Sequence, residues 1–417
     1  TIVALESPHC LPAALDDVLL VLGDSFDVLP CLKDKLQKKL KLIYIDPPFF
    51  TGTNEIIVIP IGLPEKDGFQ LDTYFDYPVE DLAYNNILNN PNPIKFFMQW
   101  FKKRVLLMKS LLRDDGHIFV RFDYHYGHYA RKVLDEVFGL HNFVNEFLVR
   151  RMKKNLSLKQ AYNQTHLIVH SDSIFVYQSS KKARLNPIAI KKRKRKSQDL
   201  IERQYSNDNL WIDVAGYEKV KKTLYPTENS ETLLSRIIKM STEKGDLIAD
   251  FFAGSGTTLA VAEKLKRNWV GVDIGHYSIH EIKKRLLRIP NYNPFNILSS
   301  QHLDQTSSPV ARFDIDVDNK KLKVTIVDFV LDKPLPRRRT QNYIDYIDYW
   351  AIDWDYQNAL FEPKWYSCRE MRGKKVLSNI QSSITYEYSN PGKYLVTIAI
   401  YDVFGKSIRQ SFPINIK

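Results

Sequence analysis

The chain has 417 residues, 44% hydrophobic and 26% charged, a soluble globular composition sized for roughly two to three domains. No run of about 18 apolar residues occurs, so a membrane-spanning helix is not expected, and the opening TIVALESPHC lacks the regions of a signal peptide. Three cysteines, Cys10, Cys31 and Cys368, stand far apart without CxxC spacing, which argues against a disulfide framework or a cysteine zinc site and for a cytoplasmic setting.

Net charge is +12, and its placement is uneven. Between Arg150 and Leu200, fourteen Lys or Arg face two acids, Asp172 and Asp199, so one segment holds the whole excess. A concentrated positive field suits a polyphosphate partner. A solvated basic loop or a nuclear-localisation run would read the same way at KKRKRK, 191–196.

In chain order, DVLLVL at 17–22 and KLIYI at 41–45 read as short buried strands, each ending near an acid, Asp24 and Asp46. An amphipathic helix from about Ser25 to Leu40 joins them, giving the strand–helix–strand unit of a parallel sheet. Residues 50–93 read as loop, 94–112 as a long helix, and HIFVRFD at 117–123 as a strand after the turn RDDG. A helix is expected over about Gly127–Val137. The basic segment then breaks the α/β rhythm, with one expected strand at HLIVH, 166–170, extending toward SIFVYQ. YPTENSETLLSRIIKM at 225–240 predicts a helix capped by Thr227 or Ser230, and strand, glycine turn and helix follow in DLIAD, FFAGSGTT and LAVAEKLKRN. WVGVDI at 269–274 is the next strand. After about 300, period-2 segments such as KLKVTIVDFV, ITYEY and KYLVTIAIYDV predict a separate β domain. The aromatic and acidic stretch YIDYIDYWAIDWDY at 343–356 reads as a packed strand pair.

Two motifs carry chemistry. DFFAGSGTT at 250–258 lies between strand and helix, where Gly254 and Gly256 permit a tight turn and close approach of a ligand to the backbone. It is neither a P-loop nor the full dinucleotide fingerprint. Asp273, ending the next strand, is placed to accept hydrogen bonds from ribose hydroxyls. IDPPF at 45–49 puts an acid and two prolines after a buried strand, which makes a stiff loop outside the carboxyl end of the sheet. The Asp46 carboxylate, the Pro47 carbonyl and the Phe49 ring offer two acceptors and one stacking face. That set fits a planar ligand with an exocyclic amino group.

Together the motifs resemble the DPPF and FxGxG pair of amino-directed DNA methyltransferases that use S-adenosylmethionine. DPPF before FxGxG, with a basic segment between, resembles the permuted β group of adenine-N6 enzymes, which includes the modification subunits of type III restriction systems. The resemblance covers about residues 15–290. GDSFDVL at 23–29, LLRDDGHIFVRFD at 111–123, DEVFG at 135–139 and YPTENSETLLSRII at 225–238 extend it. The chain departs from the family pattern at Phe50, where Asn is usual, at Asn229-Ser230, where Lys-Pro is usual, and at Phe251, where Pro is common.

The resemblance implies an α/β, Rossmann-like methyltransferase sheet in two parts, 1–144 and 216–300. An inserted basic target-recognition region would span 145–215, and a C-terminal all-β domain 308–417. It implies a catalytic set of Asp46, Pro47, Pro48 and Phe49, with S-adenosylmethionine held by Asp24, Thr227, Asn229, Asp250, Phe252, Ala253, Gly254, Ser255, Gly256, Thr257, Thr258 and Asp273. Arg150, Arg151, Lys153, Lys154, Lys191, Lys192, Arg193, Lys194, Arg195 and Lys196 are candidates for phosphate contact on double-stranded DNA. A homodimer and a separate restriction subunit are conceivable partners. Asp in the motif favours adenine N6; N4-cytosine or RNA methylation, and an inactive DNA-binding specificity module, stand as alternatives. No Pro-Cys motif of C5-cytosine enzymes is present. His125 and His128 lack an evident third ligand, so no metal is expected. ITYEYSNPGKYLVTIAIYDVFG resembles the last hairpin of immunoglobulin-like PKD domains.

Overall fold

A computed structural model describes residues 2–4, 18–48, 56–60, 74–78, 90–151, 169–193, 200–205, 209–217, 225, 228–300, 309–332, 342–357, 361–372 and 375–417. Its largest element is a ten-stranded sheet. In spatial order it runs β1 (Ile2–Ala4), β14 (Asn296–Ser299), β2 (Val18–Leu22), β13 (Asn268–Asp273), β12 (Leu247–Asp250), β3 (Leu40–Ile45), β6 (Leu112–Phe122), β8 (Ser171–Gln178), β7 (Phe143–Arg150) and β11 (Leu210–Ala215). From β1 to β6 all neighbours are parallel; β8 is antiparallel to both β6 and β7, and β11 is parallel to β7. β2 and β3 are apolar runs because helices cover both faces of a parallel sheet.

The helices are α1 (Ser25–Leu36), α2 (Pro93–Leu111), α3 (Gly127–Phe138), α4 (Glu231–Ser241), α5 (Thr257–Lys264) and α6 (His276–Leu287). α1 starts where Asp24 accepts from Phe26 N at 2.7 Å. It ends four residues before the expected Leu40, because the chain leaves helical geometry after Leu36 and Lys38 takes a φ of 56°. α2 is capped by Asn92, which accepts from Lys95 N, and opens with Pro93. RDDG does not form a free turn. It belongs to β6, whose register against β3 shifts between Leu40 and Leu42. α4 starts after Ser230; Thr227, the other expected cap, lies outside the described residues.

The basic segment holds more strand than its composition suggested. β7, β8 and β11 extend the main sheet, while β9 (Ile188–Arg193) and β10 (Leu200–Tyr205) pair as a separate two-stranded sheet. The expected extension into SIFVYQ is β8, which begins at Ser171; of HLIVH, 169–170 are not in a strand and 166–168 lie outside the described residues. β4 (Ile56–Pro60) and β5 (Tyr74–Pro78) pair within the stretch read as loop.

Beyond residue 309, β15 (Val310–Asp318), β16 (Lys321–Val330) and β21 (Ser383–Glu387) form one antiparallel sheet. β18 (Trp365–Cys368), β17 (Ile347–Asp353), β22 (Gly392–Asp402) and β23 (Ser407–Ile416) form another. β19 (Glu370–Arg372) and β20 (Lys375–Ser378) add a short ladder. The two larger sheets enclose Leu322, Val324, Ile326, Trp350, Ile352, Val396 and Ile398. YIDYIDYWAIDWDY is not a strand pair: it is a 3-10 turn, Tyr343–Tyr346, running into one buried central strand, β17. No helix among the described residues is long and apolar enough to cross a membrane.

Candidate active site

Strand order reverses between β12 and β3. The connection through α5 carries β12 to β13 on one side, and β3 pairs with β6 on the other. In open α/β sheets a crevice opens at the carboxyl ends of the strands at such a point. Both chemical motifs end there, Asp250 closing β12 and Asp46 following Ile45 of β3.

On the β12 side, Asp250 holds the glycine loop together, accepting from Phe252 N at 3.1 Å and Thr258 Oγ1 at 2.5 Å. Burial pushes its carboxyl up to about 7. Gly254 has a φ of 51° and donates its N–H to Asp273 Oδ2 at 2.7 Å, while its carbonyl accepts from Ser278 Oγ. Asp273 Oδ1 accepts from Gly275 N, and burial raises this acid to about 6. Gly256, at φ 72°, precedes α5; a Cβ there would meet Ile282 Cγ1 at 2.6 Å. Ser255, Thr257 and Thr258 are buried, Ser255 Oγ lying 3.1 Å from Thr257 Oγ1, and Ala253 is buried in the sheet core. Phe252 is half-buried beside Trp100.

Asp24 lies at the end of β2, next to β13, with Gly23 N donating to Asp273 O. Its carboxylate caps α1, and both its oxygens accept from the single nitrogen Arg104 Nη2, at 2.6 and 2.7 Å. The Arg104 guanidinium lies 4.2 Å from the Trp100 ring and 5.5 Å from the Phe26 ring.

On the β3 side, Pro47 is buried and Asp46 only slightly exposed. Asp46 Oδ2 accepts from Asn229 Nδ2 at 2.8 Å, with Arg121 Nη1 3.9 Å away. Asp46 Oδ1 is buried and has no hydrogen-bond partner among the described residues. Burial raises this acid, while Arg121 and Asn229 pull the other way. A buried carboxylate oxygen left unpaired is costly unless a ligand donor completes it. Phe49 lies outside the described residues.

A family profile described as a DNA methylase matches residues 40–284, more than half of the chain. The chain belongs to the N6/N4 DNA methylase family. Among curated relatives, the type II methyltransferase M.EcaI of Enterobacter cloacae is 23% identical over 60% of this chain and 65% of its own length. M.BamHI of Bacillus amyloliquefaciens is 25% identical over 66% of this chain and 67% of its own. The EcoP15I Mod subunit of the Escherichia coli type III restriction-modification enzyme is 26% identical over 39% of this chain and 24% of its own length. This methylase chain therefore spans about two thirds of the type II relatives and a quarter of the Mod subunit. The solved PvuII DNA methyltransferase, cytosine-N4-specific, superposes with a TM-score of 0.44 at 19% identity, over 67% of this chain and 89% of its own.

The remaining site residues of the methylase chain divide by position. Arg150 is exposed at the end of β7; Arg151 is half-buried, its Nε 3.4 Å from Asp172 Oδ1. Lys191, Lys192 and Arg193 lie on β9; Lys153, Lys154, Lys194, Arg195, Lys196 and Thr227 lie outside the described residues. His125 directs Nδ1 to Asp123 Oδ2 at 2.7 Å. Arg121 at the end of β6, which the sequence did not single out, is fully buried beside Asp46. An arginine inside an otherwise apolar strand, HIFVRF, was the one signal available.

Proposed function

We propose that this chain transfers a methyl group from S-adenosylmethionine to the N6 amino group of adenine in double-stranded DNA, as the modification component of a restriction-modification system. The observation that carries the reading is the buried Oδ1 of Asp46, unpaired among the described residues, at the crevice between β12 and β3. Family membership supports the methyl transfer, and the Asp of DPPF favours adenine. The similarity to EcoP15I Mod supports a restriction subunit as partner.

The residues on the β12 side fit the cofactor. The left-handed Gly254 turn carries no Cβ, and Asp273 keeps lone pairs beyond those taken by Gly254 and Gly275 for ribose hydroxyls. Asp24 and the 250–258 loop complete the candidate set, with Asp24 oriented by Arg104; the Asn229 amide is spent on Arg121 and Asp46 instead. When bound, S-adenosylmethionine supplies an electrophilic methyl carbon on a positively charged sulfur.

The chain's own residues act on the amino nitrogen. Its lone pair is delocalised into the base, so the ring must be flipped out and its N–H groups held. Asp46 Oδ1 accepts one N–H and the Pro47 carbonyl the other, which favours the pyramidal nitrogen of the transition state, and Phe49 stacks on the ring. The nitrogen lone pair forms the new N–C bond as the C–S bond breaks, and one amino proton leaves toward Asp46 or water. No covalent enzyme intermediate is required. Basic groups from Arg150 to Lys196 hold the phosphates.

The test is methyl transfer from labelled S-adenosylmethionine to PCR-amplified genomic DNA, wild type beside Asp46→Ala, with nucleoside mass spectrometry of the product. N6-methyladenine lost by at least about 100-fold in the variant is the expected result. N4-methylcytosine would correct the base, and absence of both cofactor binding and transfer would overturn the enzyme reading.

A further inference from the structure

Among the described residues the Asp46 carboxylate is held from one side only. Arg121, wholly buried at the end of β6, points its guanidinium into the space behind it. Arg121 Nε and Nη2 donate to Asp172 Oδ2 at 3.2 and 2.5 Å, Nη1 donates to the Gly216 carbonyl at 3.0 Å, and Nη1 also donates to Asn229 Oδ1. The Tyr217 ring lies 4.1 Å from the guanidinium. Gly216 is required by this approach, since a Cβ there would lie 2.7 Å from Nη2. Asn229 turns the chain of contacts toward the site, donating Nδ2 to Asp46 Oδ2. Its backbone is fixed by a bridge to Tyr217.

The distances decide what this arrangement does. An arginine beside a carboxylate ordinarily closes a bidentate pair that occupies both oxygens. Here the nearest guanidinium nitrogen, Nη1, stays 3.9 Å from Asp46 and donates to Gly216 and Asn229, while Asp172 holds the other terminal nitrogen, Nη2, at 2.5 Å. A neutral amide, not a cation, makes the direct bond to Asp46. One oxygen is thereby fixed and the other left as an acceptor.

We propose that Asp172, Arg121 and Asn229 are positioning residues for Asp46: Asp172 draws the guanidinium off the carboxylate, and Asn229 relays its orientation to Oδ2 so that Oδ1 alone faces the substrate. This rests on the methyl-transfer reading above. Asp172 is the second residue of β8 and Gly216 follows β11, both within or beside the expected target-recognition stretch, so that stretch helps set the geometry of the acceptor.

The titratable and charged groups facing Asp46 are Arg121 on β6, Asp172 on β8, Arg151 after β7, Tyr217 after β11, Tyr44 on β3 and Asp250 on β12. Asn229 and Arg121 favour the ionised form, and Asp172 opposes it. The two variants should therefore move the acid limb of the rate profile in opposite directions. Asn229→Ala should lower kcat by about 10- to 100-fold and move the limb to higher pH. Asp172→Asn removes a negative neighbour and frees Arg121 to close on Asp46; it should lower kcat by a similar factor and move the limb to lower pH.

The experiment measures kcat between pH 5 and 9 with labelled S-adenosylmethionine and PCR-amplified genomic DNA, alongside calorimetric cofactor binding and thermal melts of each full-length variant. Opposite limb shifts with cofactor affinity kept within about threefold support the proposal. Equal loss at every pH in both variants assigns the network a purely structural role and overturns it. Loss of cofactor binding in Asn229→Ala matching the loss of turnover gives that side chain to the cofactor and also overturns it. If Asp172→Asn does not fold, the Asn229→Ala limb decides alone. A wild type that transfers nothing sinks the methyl-transfer reading instead, and the proposal with it.

Discussion

Asp348 on β17 accepts the Lys284 ammonium of α6 at 2.6 Å, so a charge on the methylase sheet's last helix is neutralised inside the C-terminal β domain. His280 Nε2 reaches the same oxygen at 2.7 Å, and Arg369 Nε donates to the other at 3.1 Å. His280, Glu281 and Asp348 offer atoms within 4.8 Å of one another, a spacing that could hold a metal ion, but the Lys284 ammonium bonds both Glu281 and Asp348. With Tyr277 and Leu287 also packed against the β domain, α6 is buried from Tyr277 to Leu287.

Asp348→Ala removes the carboxylate that Lys284, His280 and Arg369 share, leaving Lys284 its bond to Glu281. Removing one partner from a buried ionic cluster costs about 3–5 kcal/mol. Thermal or urea unfolding of the full chain should show that loss. The pairing holds the Asp348 carboxyl well below its usual range, so its contribution is present above the unfolded value and lost as pH falls. The difference between wild type and variant should therefore shrink in acid.

Asp250 has the opposite sign. Its folded value is raised to about 7 by burial, so its favourable contribution is complete below the unfolded value of 3.8 and is lost as pH rises through 7. Asp250→Asn stays neutral throughout. The variant should gain on wild type between pH 5 and pH 8 by on the order of 2 kcal/mol, read from melts at the two pH values. A constant difference would show that Asp250 does not titrate in that window.

Gly256→Ala places a Cβ at φ 72° and 2.6 Å from Ile282. Left-handed strain and overpacking together should cost at least about 2 kcal/mol. Because the same turn opens α5 beside the candidate cofactor loop, affinity for S-adenosylmethionine should also fall, measured by calorimetry.

Arg104→Ala removes the cationic partner of Asp24, which sits between Trp100 and Phe26. If Asp24 contacts the cofactor, its Kd should rise about tenfold while transfer at saturating cofactor changes little. Arg104→Lys should restore part of the affinity, since it returns charge without the planar fork.

Several of these residues were readable in advance. Asp46, Gly254 and Asp273 follow short buried runs, and a parallel sheet sends such runs' carboxyl ends to one edge. Arg121 and Asn229 were not readable as a pair, being 108 positions apart. In the basic segment β8 was legible from the apolar run IFVY, whereas β7, FVNEFLVR, carries Asn145 and Glu146 in its middle and shows no clean period of two. β17 looked like two strands because its acids, Asp348 and Asp353, are buried by partners from elsewhere in the chain.

Apolar runs, prolines and glycines act over a few residues, so the sequence by itself determined the α/β rhythm, the two motif loops and the β region that follows. Which carboxylate oxygen stays unpaired, which cation is held off it, and how α6 disappears under the β domain depend on groups brought together from distant strands. Those were decided by the tertiary structure, because desolvation and hydrogen bonding act through space at a few ångströms, whatever the separation along the chain.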